Sequence, residues 1–357
     1  MGRTFHQLKT MKRPTSLAIL TTIGFCAASA AAADRTKLSE IAAARKSETP
    51  VVRGTGDWLY LPAELRHLAA GEFWGERAAG ASQATRPENA DPLPAILDFR
   101  DQLKQQGVRL ILVPVPAKAV VYPGPLAGEG LAASGRLDDV HQAFFAKLRD
   151  EGVEVIDLLP DFLAAAADSG EPVYCRTDSH WSGRGVGIAA KKIAAALDGI
   201  TWPEGAPRVK TEAKEQQIQP QGDLARLLGE KDTIGPESMS LRFVNDSATG
   251  EPVPPSPESP LVLMGDSHNL VFHSGDDMLA KGAGLADQLA HELGRPVDLI
   301  AVRGSGATPA RVNLMRRSRA NADFLPAKKA VVWCFTVREF TEATGWSKVP
   351  LAGSPAP

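Results

Sequence analysis

Cysteine is scarce. Three are spread over 357 residues, with no CxxC pair and no His/Cys cluster, which removes the usual thiolate zinc sites. One, Cys26, falls in the N-terminal segment. Cys175 and Cys334 remain, either as a disulfide or as two buried thiols. Spacing in sequence does not say whether their Cα atoms come within about 7 Å. Positive charge is not in excess either: 40 Lys and Arg stand against 42 Asp and Glu, a formal net charge of −2. No global basic field therefore points to nucleic acid or to an anionic membrane surface. Internal repeats are missing, and past residue 33 no run is long and apolar enough to span a bilayer.

The N-terminus does carry an apolar run. Lys9, Lys12 and Arg13 precede Leu17 to Ala31, and Ala28-Ser29-Ala30 is a small-residue cleavage pattern. Residues 1–33 read as a secretory signal peptide, or as an uncleaved N-terminal anchor. Either places the body outside the cytoplasm, where a disulfide is permitted.

The body alternates buried strands with amphipathic helices. Leu93, Ile96, Leu97, Phe99 and Leu103 share one helical face, closed by Gly107. Arg109 to Pro116 is a nearly continuous apolar run, the mark of a strand covered on both faces. A helix over 137–149, Gly152 and a strand over 153–158 repeat the rhythm. Helix 183–197, strand 261–264, helix 279–293, strand 296–302, helix 308–320 and strand 329–335 continue it. Gly54 to Leu61 reads as a turn and a short strand, and Gln221 to Leu228 as a short helix. The fold class is α/β: a three-layer α/β/α sandwich with a mostly parallel sheet. Residues 34–357 form one domain, with a Pro-rich insertion at about 202–260 that shows no second α/β rhythm.

Two stretches carry chemistry. Arg176-Thr177-Asp178-Ser179-His180-Trp181 sets a carboxylate two residues before an imidazole, just ahead of a helix. Leu261-Val262-Leu263-Met264 runs straight into Gly265-Asp266-Ser267, which puts a hydroxyl at the carboxyl end of a strand. Loops at such strand ends are where α/β sheets bind ligands. A serine needs a base in reach and a group to orient that base. Ser267 is the candidate nucleophile, His180 the base and Asp178 the group that fixes its tautomer. His268 is the competing imidazole, but it directly follows Ser267 and points elsewhere. Ser179 is read as a structural hydroxyl, and Asp266 as a brace for the serine loop. His141, His273 and His291 have no acidic partner at telling spacing.

A developing oxyanion needs donors. The Ser267 amide is one candidate, and Gly265 lets backbone approach closely. The loop Arg303-Gly304-Ser305-Gly306 offers further amides and a charged contact, or is simply a turn between strand and helix. Asn269 and Asn313 are side-chain candidates. Trp181, Trp58 and Trp333 are either sugar-stacking rings or core. No metal and no cofactor is called for.

Together with Gly56-Asp57-Trp58-Leu59-Tyr60, Val113-Pro114-Val115-Pro116-Ala117-Lys118, Gly222-Asp223-Leu224 and Val331-Val332-Trp333, these motifs resemble a family in its order. It is the SGNH-hydrolase-like O-acetyltransferases of exported polysaccharides, the alginate acetylation proteins of AlgJ/AlgX type. The resemblance implies a periplasmic enzyme, held at the inner membrane if residues 1–33 stay attached. Ser267, His180 and Asp178 would take the triad roles. The acceptor would be an exported polysaccharide such as alginate, and a membrane-bound O-acyltransferase partner would supply acetyl groups. The Gly-x-Asn-Asp block of secreted esterases is absent, so the oxyanion donors stay open. No C-terminal carbohydrate-binding module is evident. A carbohydrate esterase using the same residues, and a non-catalytic polysaccharide-binding scaffold, are the competing expectations.

Overall fold

In the computed structural model, residues 1–2, 34–128, 131, 135–228 and 234–351 are described. Two short strands, β1 (Val52–Arg53) and β2 (Leu59–Tyr60), pair antiparallel. The central sheet is built from β3 (Arg109–Val115) and β4 (Glu154–Val155). A hairpin of β5 (Thr211–Ile218) and β6 (Met239–Asp246) follows. The central sheet is then completed by β7 (Leu261–Gly265), β8 (Asp298–Ala301) and β9 (Ala330–Thr336). Its order is β4-β3-β9-β7-β8, and every pairing is parallel. All residues of β7 and β9 are buried, as is β3 after Arg109. That is why these runs are apolar without alternation. Each buried Val or Leu contributes about 1.5–3 kcal/mol over leaving it exposed.

The helices follow their local signals. Asp91 caps the helix Pro92–Gln105 by accepting from the Leu93 amide at 2.9 Å, and Pro92 sits at its first turn. Its buried face includes Ala95, Ile96, Phe99 and Leu103, and the Phe99 ring meets Trp333 of β9 edge-on. The helix Gly183–Ala196 begins right after Trp181-Ser182. It buries Val186, Ala189, Ala190 and Ile193, a spacing of 3.6. Gly185 is required there, because a Cβ would stand 2.4 Å from the Val173 carbonyl oxygen.

Some expectations need correcting. The helix expected over 279–293 begins only at Leu285. Gly282 has φ +85°, and a Cβ on Gly284 would lie 2.6 Å from the Val271 oxygen, so the chain stays extended. The 202–260 stretch holds the β5–β6 hairpin, which no strand pattern announced. Cys175 and Cys334 are free and buried, so no disulfide joins them. Residues 3–33, with most of the expected signal or anchor, lie outside the described residues. Among the described residues no helix is long and apolar enough to cross a membrane.

Candidate active site

β7 delivers the serine. Gly265 ends that strand opposite Cys334, at φ +152°. A Cβ at Gly265 would sit 1.6 Å from the Cys334 oxygen, so only glycine lets the chain turn here. Asp266 then braces the turn. One carboxylate oxygen accepts from the His268 amide at 2.9 Å, the other from the Thr336 amide at 2.8 Å. Ser267 follows, opening a short 3-10 turn over Ser267–Asn269.

The second stretch is held as a tight loop. Tyr174 bridges Trp181, and the Cys175 amide donates to the His180 oxygen at 3.2 Å. The loop faces the serine. His180 Nε2 lies 2.7 Å from Ser267 Oγ, and His180 Nδ1 lies 2.6 Å from Asp178 Oδ1. A carboxylate accepts, so Nδ1 carries the proton and Nε2 is free to accept from the hydroxyl. The three side chains are nearly enclosed, with Ser267 8%, His180 5% and Asp178 1% exposed.

Charge is arranged to match. Burial pushes the His180 pKa down, but the Asp178 charge and hydrogen bond outweigh it and hold it above the ordinary value. Burial would raise Asp178, yet the His180 charge and the amides of Asp223 and His180 keep its carboxyl well below the usual range. His268 behaves differently. Burial takes it down to about 4, against the pull of Asp266, and its Nδ1 faces Asp266 at 3.2 Å. It is a neutral ring packed against His180 and Trp181, not a rival base.

Residues of unassigned role hold this loop in place. The Asp223 amide donates to Asp178 Oδ2 at 2.7 Å. Its own carboxylate accepts from the Ser179 amide at 2.7 Å and the Ser179 hydroxyl at 2.5 Å, and reaches within 4.0 Å of His180 Nδ1. Glu237 accepts from the amides of Arg176 and Thr177 at 2.9 and 3.0 Å. Lys118 donates to the Asp178 carbonyl at 3.1 Å. Gly222 must lack a side chain, since a Cβ would stand 2.2 Å from the Thr177 oxygen. The Gly-Asp-Leu and Pro-Ala-Lys motifs were the only trace of Asp223 and Lys118 in the sequence. Their contacts span 45 and 60 positions, which no local pattern reports.

The oxyanion candidates fare unevenly. Ser305 Oγ donates to Glu339 at 2.6 Å, and the Gly306 amide donates to the same oxygen at 3.1 Å. Glu339 is pushed up to about 7 by burial and by the Asp266 charge. Arg303 is exposed and paired with Asp277 at 2.5 Å, and Gly304 sits at a turn of φ +87°. Asn269 is fully buried, and its Nδ2 donates to the oxygens of Asp266 and Cys334. Trp181 is buried completely, so it packs the site rather than offering a stacking face. Trp333 is core as well. The Ser267 amide is the candidate donor that remains with the nucleophile. Asp178, His180 and Asp223 lie close enough to share an ion, their ligand atoms within 4.8 Å. However, both oxygens of Asp178 and both of Asp223 already accept hydrogen bonds from neighbours. That donor set suits a proton relay better than a metal.

Asp223 gives a first prediction. An imidazole base works only when neutral, so wild-type activity falls as pH drops through a His180 pKa held above the ordinary imidazole value. The Asp223 charge helps raise that pKa. The titratable groups facing the ring besides Asp178 and Asp223 are His268 at 4.8 Å and Arg338, whose charge opposes theirs. Asp223→Asn keeps the backbone amide on Asp178 and removes the charge. The acid limb should move to lower pH, with the plateau rate down by no more than about tenfold. An unmoved limb in a full pH–rate profile would count against the electrostatic role.

A parallel sheet with a Gly-Asp-Ser turn ending an inner strand, faced by an Asp-x-His loop, defines an SGNH-hydrolase-like α/β protein. Residues 51–337 match the family described as SGNH hydrolase-like domain, acetyltransferase AlgX, and the chain belongs to that family. It is 34% identical over 178 residues to a probable alginate O-acetylase AlgJ of Pseudomonas syringae pv. tomato, covering 50% of this chain and 41% of that one. With the alginate biosynthesis protein AlgX of Pseudomonas putida the identity is 25% over 308 residues, 84% of this chain and 59% of that one. This chain thus spans less than two thirds of these relatives. The solved O-acetyltransferase domain of Pseudomonas putida AlgJ superposes with a TM-score of 0.59 at 27% identity, covering 81% of this chain and 91% of that one.

Proposed function

We propose that this protein is a serine-dependent O-acetyltransferase acting on hydroxyls of an exported polysaccharide such as alginate. The observation that carries the reading is the continuous Asp178–His180–Ser267 chain of hydrogen bonds, at 2.6 and 2.7 Å. Ser267 Oγ attacks the acetyl carbonyl of the donor while His180 Nε2 takes its proton. Asp178 holds Nδ1–H and stabilises the imidazolium. The tetrahedral centre collapses, the donor leaves with the proton from His180, and acetyl-Ser267 remains. A sugar hydroxyl then gives its proton to His180 and attacks the ester, and Ser267 Oγ departs with that proton returned from His180, which restores the hydroxyl and the neutral imidazole. The names of the AlgJ and AlgX relatives support acetyl transfer and the alginate acceptor. The N-terminal segment supports a periplasmic site of action. A membrane-bound O-acyltransferase is the partner that would hand over acetyl groups.

The test is to incubate the protein with an activated acetyl ester, with and without an oligomannuronate. Mass spectrometry should find acetylated sugar, and acceptor should speed ester turnover. Acetate release indifferent to acceptor, with no acetylated sugar, would mean hydrolysis. Normal acetylation of the polymer by a Ser267→Ala strain would mean a scaffold.

A further inference from the structure

A polar groove lies at the sheet end that carries Ser267. This open groove offers about 560 Å³, within the roughly 300–1,000 Å³ typical of small-ligand sites. Its polar walls are Arg86, Asn89, Asn313, Arg316, Thr344 and Ser347, and no Asp or Glu lines it. Arg316 reaches the Asn313 amide oxygen at 3.2 Å, and neither it nor Arg86 has an ion-pair partner among the described residues. Other arginines of this chain are tied to carboxylates. Arg184 pairs with Asp168, Arg242 with Glu292 and Arg303 with Asp277. The groove thus gathers two guanidinium groups with no carboxylate among its walls.

The groove is built, not incidental. The Thr85 amide donates to the Thr344 oxygen at 3.0 Å, and the Trp346 amide to the Asn89 oxygen at 2.7 Å. These bonds stitch one wall to the next. The third wall, the helix Thr308–Ala320, is tied in by Thr308 Oγ1, which donates to the Gly345 oxygen at 2.7 Å. Beneath it the buried Arg311 donates to Thr308 Oγ1 at 2.9 Å and stacks over Trp333 and Trp346. The groove also sits at the sheet end that carries Ser267. Val302 lines it, and the Val302 amide donates to the Gly265 oxygen at 2.9 Å. Four residues on, Gly306 packs so closely that a Cβ there would lie 2.6 Å from the Asp266 amide.

We infer that this groove is a binding subsite for a carboxylate-bearing saccharide, the flanking sugars of a hexuronate chain whose reacting hydroxyl lies at Ser267. The inference rests on the transferase reading for the second half of that statement only. Guanidinium groups take planar carboxylates bidentately, and amides and hydroxyls suit sugar hydroxyls. A polymer held at a distance from the reacting centre supplies binding energy and positioning there.

The probe is an oligomannuronate of about six units, titrated by calorimetry or ligand-observed NMR. Neutral mannohexaose is the control. The wild type should bind the charged oligomer and not the neutral one, less tightly at high salt. Arg86→Ala with Arg316→Ala should weaken binding at least about tenfold, and Arg86→Glu with Arg316→Glu more. Both side chains are exposed, so thermal midpoint and circular dichroism should hold. Ser267→Ala should bind as wild type. Equal binding of the neutral sugar, wild-type affinity in the double variants, or no binding by the wild type would each overturn the subsite. A protein that binds through these arginines yet acetylates nothing keeps the groove and sinks the transferase reading. A working transferase indifferent to both arginines does the reverse.

Discussion

Ser267→Ala and His180→Ala should each lower the acetyl-transfer rate by on the order of 10⁵-fold, and the double variant should be no worse. The reason is the geometry of one proton. The hydroxyl and the imidazole are 87 positions apart in sequence and 2.7 Å apart in space. Without the base the hydroxyl is too weak a nucleophile, and without the hydroxyl the base has nothing to activate. Each loss therefore removes the same step. Single-turnover measurements with an activated acetyl ester read it directly. Independent roles would give multiplied losses, and the double variant would fall to the uncatalysed background, far below either single. Folding does not confuse the result for Ser267→Ala, which removes one oxygen from a turn braced by Asp266 rather than by the hydroxyl. Labelling with a serine-directed sulfonyl reagent gives a second readout: it should vanish in Ser267→Ala and slow greatly in His180→Ala.

What could be read in advance follows from how each element is stabilised. β3, β7 and β9 are covered on both faces, so burial alone writes them as contiguous apolar runs. The relay residues were legible because their chemical types are few and each stands at a strand or helix end. The β5 strand was not legible. Nearly all of Thr211–Ile218 is exposed, and Glu, Ala, Lys and Gln dominate it, which are helix formers by local preference. Its register with β6 is set instead by cross-strand pairing, Thr211 with Asp246 through Ile218 with Met239. The loop 303–306 stays open in sequence between oxyanion amides and a plain turn. In space Glu339, from a segment 33 positions away, takes the Gly306 amide and the Ser305 hydroxyl, a pairing that no local pattern reports.

Lys118→Met should cost both stability and rate, and the two losses are separable. Lys118 is 1% exposed, and its three ammonium protons meet three carbonyls, Leu59 at 2.6 Å, Arg176 at 2.9 Å and Asp178 at 3.1 Å. The ammonium also lies 5.4 Å from the ring centroids of Trp58 and Tyr60. Burial lowers its pKa, while the charges of Cys175, Glu64, Asp178 and Glu237 oppose that shift. One side chain thus joins β2 to the loop that bears the base. Methionine keeps the stem and removes a donor from all three carbonyls, of which only Arg176 keeps another among the described residues, the Leu59 amide at 2.8 Å, so unfolding free energy should drop by about 3 kcal/mol. A loop freed to shift the Asp178–His180 pair by about 1 Å should lose roughly 10²-fold in kcat. KM should change little, because Lys118 touches backbone rather than ligand. A looser Asp178 contact also lowers the His180 pKa, so the acid limb of the remaining activity should move to lower pH. Urea unfolding measures the first effect and a pH–rate profile of the folded variant measures the others. A variant that is destabilised yet keeps its kcat and its acid limb would show that Lys118 holds the fold and leaves the relay alone.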